Sequence, residues 1–292
     1  MMREYSGSTI AVIFDAPGGS FRSEMYPEYK SNRSSMPEDL VPQIDSIRRL
    51  VQALGLPVVQ MSGVEADDVI GTYAAQAQAR GMDVLIASGD KDIAQLVNSK
   101  VSMLTNVGGN GSHVLDEAGV CGQYGVPPSL FVDYLALVGD TSDNIPGVRG
   151  VGPKGALALL QHFTGGLPDI YKNIHEVPSV SVRGAKTLAT KLATDESNAH
   201  LSYTLATIKT DVDLEVGVED LKMEPPDITT LLQLYAQLEF SDWLKELKRA
   251  KGAEPMGKAG TSSADGRVPA SAPAGNEPPK MTCEVATDEQ QL

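Results

Sequence analysis

Cysteine is nearly absent. Cys121 and Cys283 stand alone among 292 residues, with no CxxC and no Cys/His spacing, so the chain supports neither a disulfide framework nor a zinc site. Reduced thiols are expected. Aromatic residues reach only 5%, and no apolar run approaches ~20 residues, which leaves no stretch able to cross a bilayer as a helix. The opening MMREYSGSTIAVIFD is cut off by Asp15 and has no small-residue cleavage site, so it does not read as a secretory signal, and a cytoplasmic location is expected. Positive charge is scarce as well: 24 Lys and Arg face 38 Asp and Glu, a net −14, which excludes a uniformly basic nucleic-acid-binding surface. His113, His162, His175 and His200 form no pair at ligand spacing, and no GxSxG motif supports Ser/His/Asp catalysis.

What is present is ordinary soluble composition, 41% hydrophobic and 21% charged, on a chain long enough for two domains. The charge is unevenly spread. Between Asn144 and Leu192, Arg149, Lys154, Lys172, Arg183, Lys186 and Lys191 outnumber Asp169 and Glu176, a local excess of four positive charges. Thr9 to Phe14, Pro57 to Met61 and Asp83 to Ala87 read as short strands separated by helical periodicity over Glu38 to Leu54 and Ala66 to Ala79, a βαβ rhythm and so an α/β fold. From Pro127 the strand signals fade. Ser129 to Val138, Gly155 to His162, Val182 to Leu192, His200 to Ile208 and Thr229 to Leu238 read as helices, and Trp243 falls on an apolar stripe with Leu244 and Leu247 that implies packing. The expected organisation is an α/β core over 1–138 with a projecting segment at about 20–40, a helical module over 139–210, helices docking on the body over 211–250, and a Pro/Gly/Ala/Ser-rich tail over 251–292 that cannot bury enough apolar surface to order.

Acidic residues recur where the strands end, the edge of an open α/β sheet at which ligands bind. Asp15 follows TIAVIF; Glu65, Asp67 and Asp68 open a helix in GVEADD; Asp90 and Asp92 lie in SGDKD; Asp140 and Asp143 lie in GDTSDN. Any one of them could serve a turn or a helix dipole. Four clusters in step with the βα rhythm point elsewhere. Carboxylates converging on one rim repel unless divalent cations neutralise them, and oxygen-only ligands select Mg²⁺ or Mn²⁺. Two such ions about 4 Å apart activate a water and stabilise the leaving oxygen of a phosphodiester.

Asp15 in VIFDAPGGSFR, then YPEYKSNR, GVEADDVIGT, SGDKD, LALVGDTSDNIPGVRGVGPKGALALL and LATIKTDVDLEV together resemble the 5′ nuclease (flap endonuclease) domain at the amino end of bacterial DNA polymerase I, from about Thr9 to Ala250. The resemblance implies a PIN-like, Rossmann-like, mostly parallel sheet with flanking helices, plus an all-helical helix-hairpin-helix module. It also implies a Mg²⁺-dependent 5′→3′ exonuclease acting on 5′ flaps, nicks and RNA primers in replication and repair, monomeric, nucleoid-associated, and continued by polymerase domains in longer relatives. Carried over to this chain, Asp15, Glu65 and Asp67 correspond to a first metal group and Asp90, Asp92 and Asp143 to a second, with Asp68 and Asp140 as supporting acids. Lys30 and Arg33 correspond to arch residues that hold and polarise the scissile phosphate; Tyr29 would stack on a terminal base, with Arg22 close by.

Gly150, Gly152 and Gly155 satisfy GxGxxG, but no strand precedes them, so the dinucleotide-binding context is missing. Between two helices such glycines let a turn approach a phosphate and present backbone N–H groups, with Lys154 adding charge. This resembles a helix-hairpin-helix, with Gly147, Gly150, Gly152, Lys154, Arg183 and Lys186 on DNA and a K⁺ ion on backbone carbonyls. One departure stands out. The family's first strand, which ends in Asp-Gly and supplies a metal ligand, has no counterpart before Thr9, so the sheet is expected to show an open edge or gap and the activity to be reduced. Two alternatives remain: a catalytically deficient DNA-binding fragment, and a Mg²⁺-dependent phosphatase with an Asp nucleophile. The latter needs an Asp where this chain has Pro17.

Overall fold

The structure, a computed structural model, describes residues 8–106 and 112–252. β-Branched residues open β1 (Val12–Ser20), which leads into the short α1 (Phe21–Met25) and then α2 (Val41–Ala53), whose first turn accepts Pro42. β2 (Val58–Gly63) is followed by α3 (Ala66–Ala79), alanine-rich and started by a reciprocal capping box between Glu65 and Asp68. β3 (Val84–Ala87), a 3-10 helix over Lys91–Leu96, β4 (Val101–Asn106), β5 (Ser112–Leu115) and α4 (Glu117–Tyr124) complete the α/β half. The rest is helical: α5 (Phe131–Val138), α6 (Pro153–His162), α7 (Gly166–Lys172), α8 (Ala185–Thr194), α9 (Glu196–Ala206), α10 (Ile228–Gln237) and α11 (Ser241–Gly252).

The strands form two sheets rather than one. β1 pairs parallel with β2, while β3 pairs parallel with β4 and β4 antiparallel with β5. The expected break in the sheet therefore lies between β1 and β3, and α3 packs against both. The regular β1–β2 ladder stops at Asp15 opposite Met61; Pro17, Gly18 and Gly19 follow, where the register shifts. β1 consequently starts later than the sequence suggested and runs further. β4 and β5 were not foreseen, because VSMLTN alternates apolar and polar too briefly and SHVL is shorter still.

One large core joins the β3–β4–β5 sheet to the helical half through Ile86, Met103, Phe131, Leu135, Leu159 and Leu205. A smaller cluster of Val69, Tyr73 and Leu221 lies under β1 and β2, and Ala53, Leu231, Leu234 and Tyr235 fasten α10 to α2. Trp243 departs from expectation: it leans on Tyr235 and Phe240 yet is 53% exposed. Cys121, expected as a thiol, is disulfide-bonded. Among the described residues no helix is long and apolar enough to cross a membrane. The tail expected over 251–292 lies almost wholly outside the described residues.

Candidate active site

Strand ends and helix starts bring the acids to one side of the sheets. Asp15, at the end of the regular β1 ladder, accepts a 2.8 Å hydrogen bond from the Ala66 amide, which ties β1 to the first turn of α3. Asp67 projects from that turn, where the neighbouring charges of Asp90, Asp15, Asp92 and Glu65 all reach it. Burial, reinforced by those charges, pushes the Asp67 carboxyl up to about 7. Asp90 caps the 3-10 helix by accepting from the Asp92 amide at 3.0 Å. Asp92 is likewise pushed up to about 7, by burial first and then by Asp90, Asp140 and Asp143, with the Lys91 ammonium opposing.

Cations from the same chain occupy part of this basin. Lys30 reaches Glu65 at 2.8 Å and Asp143 at 3.5 Å, Arg33 pairs with the other oxygen of Asp143, and the Tyr29 hydroxyl donates to Glu65 at 3.1 Å and to Asp143 at 3.2 Å. The segment carrying them lies against the GDTSDN turn: Asn32 donates to the Thr141 carbonyl, Asn144 to the Glu28 carbonyl, and the Lys30 amide to the Asp143 carbonyl. Lys30 and Asn144 both adopt left-handed backbone angles, φ 56° each, at this crossing.

Do these residues fit a divalent ion? Among the described residues no three acids stand close enough to form a ligating group by themselves. The chemistry of the set nonetheless suits one. Asp92 Oδ1 is buried without a hydrogen-bond partner, its nearest cation being Lys91 Nζ at 3.7 Å, and Asp67 and Asp92 are both pushed up to about 7 by burial first and by neighbouring carboxylates second. An ion placed between Asp67 and Asp92 would satisfy that orphan oxygen and relieve the repulsion.

The roles expected of Arg22 and Tyr29 are corrected, and the supporting acids Asp68 and Asp140 are each held by partners within the chain. Arg22 is only 2% exposed; its guanidinium grips both oxygens of Asp68 at 2.7 Å and donates to the carbonyls of Leu205 and Thr207, so nothing is left for DNA. Asp68, fully buried, also accepts from the amides of Glu65 and Lys209 and is thus a fastening between α3 and the strand of chain after α9, with no free face for an ion. Burial raises the Asp68 carboxyl, but Arg22 outweighs it and holds the group below the usual range. Tyr29 is buried, so its ring is not open to a base. Asp140 is filled by Ser142, whose amide and hydroxyl take one oxygen, and by Lys91, which takes the other. Lys91 is the residue the sequence reading missed. Its only signal was its position between two acids in SGDKD.

At the hairpin, Gly147 is buried with φ 62°, its amide donating to Ser202 Oγ at 2.9 Å; a Cβ there would stand 2.4 Å from the Gly139 nitrogen. That amide cannot also meet a phosphate. Gly150, Gly152, Lys154, Arg183 and Lys186 are exposed, and the α6 start that follows Gly152 has open amides on Lys154 and Gly155.

Two family descriptions match the sequence: "5'-3' exonuclease, N-terminal resolvase-like domain" over residues 1–125 and "5'-3' exonuclease, C-terminal SAM fold" over residues 126–229. DNA polymerase I of Pseudomonas aeruginosa is 47% identical over 262 residues, covering 89% of this chain but 28% of that protein. A 5'-3' exonuclease of Buchnera aphidicola subsp. Baizongia pistaciae is 43% identical over 249 residues, covering 85% of this chain and 81% of that one. Among solved structures, T5 5'-exonuclease with bound zinc superposes with a TM-score of 0.59 at 22% identity over 85% of each chain. The catalytic core of Rad2 in complex with DNA substrate gives 0.52 at 17% identity, covering 80% of this chain and 77% of that one.

Proposed function

Because this chain belongs to the 5′-3′ exonuclease family, whose members are nucleases, we propose that its acidic basin hydrolyses phosphodiesters at the 5′ ends of DNA flaps and nicks, RNA primers included, with Mg²⁺ as the ion. The observation that carries this reading is the orphan oxygen of Asp92 beside an Asp67 held near neutrality, in a basin bordered by Lys30 and Arg33. Bound divalent ions supply water activation and stabilisation of the leaving oxygen. Asp15, Glu65, Asp67, Asp90, Asp92 and Asp143 would hold them, with Asp68 and Asp140 bracing the elements from behind.

Lys30 and Arg33 have a second task. In this structure they neutralise Glu65 and Asp143; were those carboxylates to hold the ions, the ammonium and guanidinium would be free to bind and polarise the scissile phosphate. The hairpin after α5 and the first turn of α6, with Lys154, Arg183 and Lys186 around them, would seat the duplex by its phosphates without reading sequence. This division, α/β core to about residue 138 and helical module beyond it, places cutting and gripping on separate halves. We assign the activity to the cytoplasm, at the chromosome, to a monomer, and, in longer relatives, to a chain continued by polymerase domains.

A second reading, a catalytically deficient DNA-binding fragment, is favoured by the absence of a three-acid ligating group among the described residues. A labelled 5′-flap substrate separates the two. Mg²⁺-dependent cleavage that EDTA stops and Asp92→Asn abolishes supports the nuclease; gel-shift binding in Ca²⁺ with no cleavage in Mg²⁺ supports the fragment.

A further inference from the structure

The K⁺ ion that the family resemblance implies at the hairpin does not fit the residues present. Three carbonyls of the loop are already engaged: Val148 accepts from the Val151 amide, Gly152 from the Ala156 amide, and Gly150 from the ammonium of Lys191 at 2.7 Å. A metal cation on the Gly150 carbonyl would share that oxygen with a like charge at hydrogen-bond distance, which is repulsive.

We propose that Lys191 is the hairpin's own cation, an ammonium carried in from α8 that replaces a monovalent metal ion and holds the 147–152 loop in its DNA-gripping shape. Lys191 is half-buried, and among the described residues no carboxylate stands within ion-pair distance of it, so its charge is directed at the loop rather than spent on a neighbour. Gly150 makes room for it: at φ 78° the chain turns back, and a Cβ there would lie 2.9 Å from Lys191 Nζ. Two further side chains finish the clamp. The Arg149 amide donates to Asp195 Oδ2 at 2.9 Å and the Gly147 amide to Ser202 Oγ at 2.9 Å, so α8, the α8–α9 junction and α9 each fix one polar group of the loop.

The clamp fixes the loop just before α6, where the amides of Lys154 and Gly155, in the first turn and so without an intrahelical acceptor, would serve as phosphate donors. A permanently bound ammonium needs no ion from solution. The hairpin should therefore grip DNA equally well whichever monovalent cation surrounds it.

This inference rests on the reading of the hairpin as a DNA-binding element, and the test keeps the two apart. Affinity of the whole chain for a 5′-flap oligonucleotide is measured in Ca²⁺ over the same series of ionic strengths in KCl, NaCl and tetramethylammonium chloride. The natural chain is expected to bind alike in all three, within about twofold. Lys191→Met is expected to weaken binding roughly tenfold in tetramethylammonium and to recover part of the loss in KCl, where a small ion can enter, while Lys191→Arg binds like the natural chain. A natural chain that loses about tenfold from KCl to tetramethylammonium overturns the proposal, because the loop would then be taking up a metal ion. So does a Lys191→Met chain that binds normally, or one weakened equally in every salt with the salt slope reduced by about one, the mark of a plain phosphate contact. A natural chain that binds in none of the salts overturns the DNA-binding reading itself.

Discussion

Arg22 and Asp68 face each other in a fork, Nη1 to Oδ2 and Nη2 to Oδ1 both at 2.7 Å, with neither side chain more than 3% exposed. The pair joins the α1 segment to α3 and, through the carbonyls of Leu205 and Thr207, to the end of α9. It is a buried polar link between the half that would cut and the half that would grip, beside the apolar core that joins them. Removing one partner strands a buried charge. Arg22→Met is expected to lower unfolding free energy by about 3–5 kcal/mol, seen as a shifted urea midpoint, whereas an unchanged midpoint would contradict the role given to the pair.

Asp67 and Asp92 make the metal-free protein sensitive to pH. Their folded-state values, about 7, lie above the ordinary carboxylate range, so the folded protein holds these protons more tightly than the unfolded chain. Stability in EDTA should fall as pH rises from the ordinary carboxylate range through about 7, and Mg²⁺ should abolish the fall. Thermal melts across that window with and without Mg²⁺ check this. A stability that instead rises through the window in EDTA would contradict the assigned shifts.

Lys91 couples the 3-10 helix that carries Asp92 to the turn that carries Asp143, by way of Asp140. Burial of Lys91 disfavours its charge, but Asp140 outweighs that and raises the ammonium's pKa. Lys91→Met should slow flap cleavage by about 10²-fold through misplaced carboxylates. Lys91→Arg, which keeps the charge, should recover much of the rate. Equal loss in both variants would argue against a bracing role.

Lys30→Met and Arg33→Met should each reduce cleavage by about 10²-fold or more without weakening Mn²⁺ binding, since these side chains compete with ions for Glu65 and Asp143. Calorimetric titration with Mn²⁺ is the control. A parallel loss of ion affinity would mean that the two residues support the carboxylates instead of vacating them.

Gly147→Ala should destabilise the helical half. The backbone angle there is left-handed, and the added carbon would stand 2.4 Å from one backbone nitrogen and 2.6 Å from the Val138 carbonyl carbon. Loss of at least about 2 kcal/mol is expected in denaturant titration.

The α/β rhythm, α2, α3 and the chain of helices after Pro127 were legible because their apolar spacing is local. So were the acids of the basin, since strand ends are short-range features. The pairings were not. Arg22 looked like a surface cation because its partner stands 46 residues away, and nothing in FRSEM announces a buried fork. Tyr29 looked like a stacking platform for the same reason, although its hydroxyl is committed to acids from two other stretches. Lys191, one of six basic residues in a run read as a single patch, differs from the others only in what it touches.

Helix α3 packs against both sheets, and Glu65 and Asp67 lie at its N-terminal end. Among the described residues no ladder ties β1 to β3, so this helix supplies a contact between the two sheets that strand pairing does not. Asp15 comes from the first sheet, Asp90 from the turn that follows β3 in the second, and Asp67 from the helix between them. The spacing of the three carboxylates is therefore set by how α3 seats on each sheet, and a substitution under that helix would be felt in the basin without touching an acid.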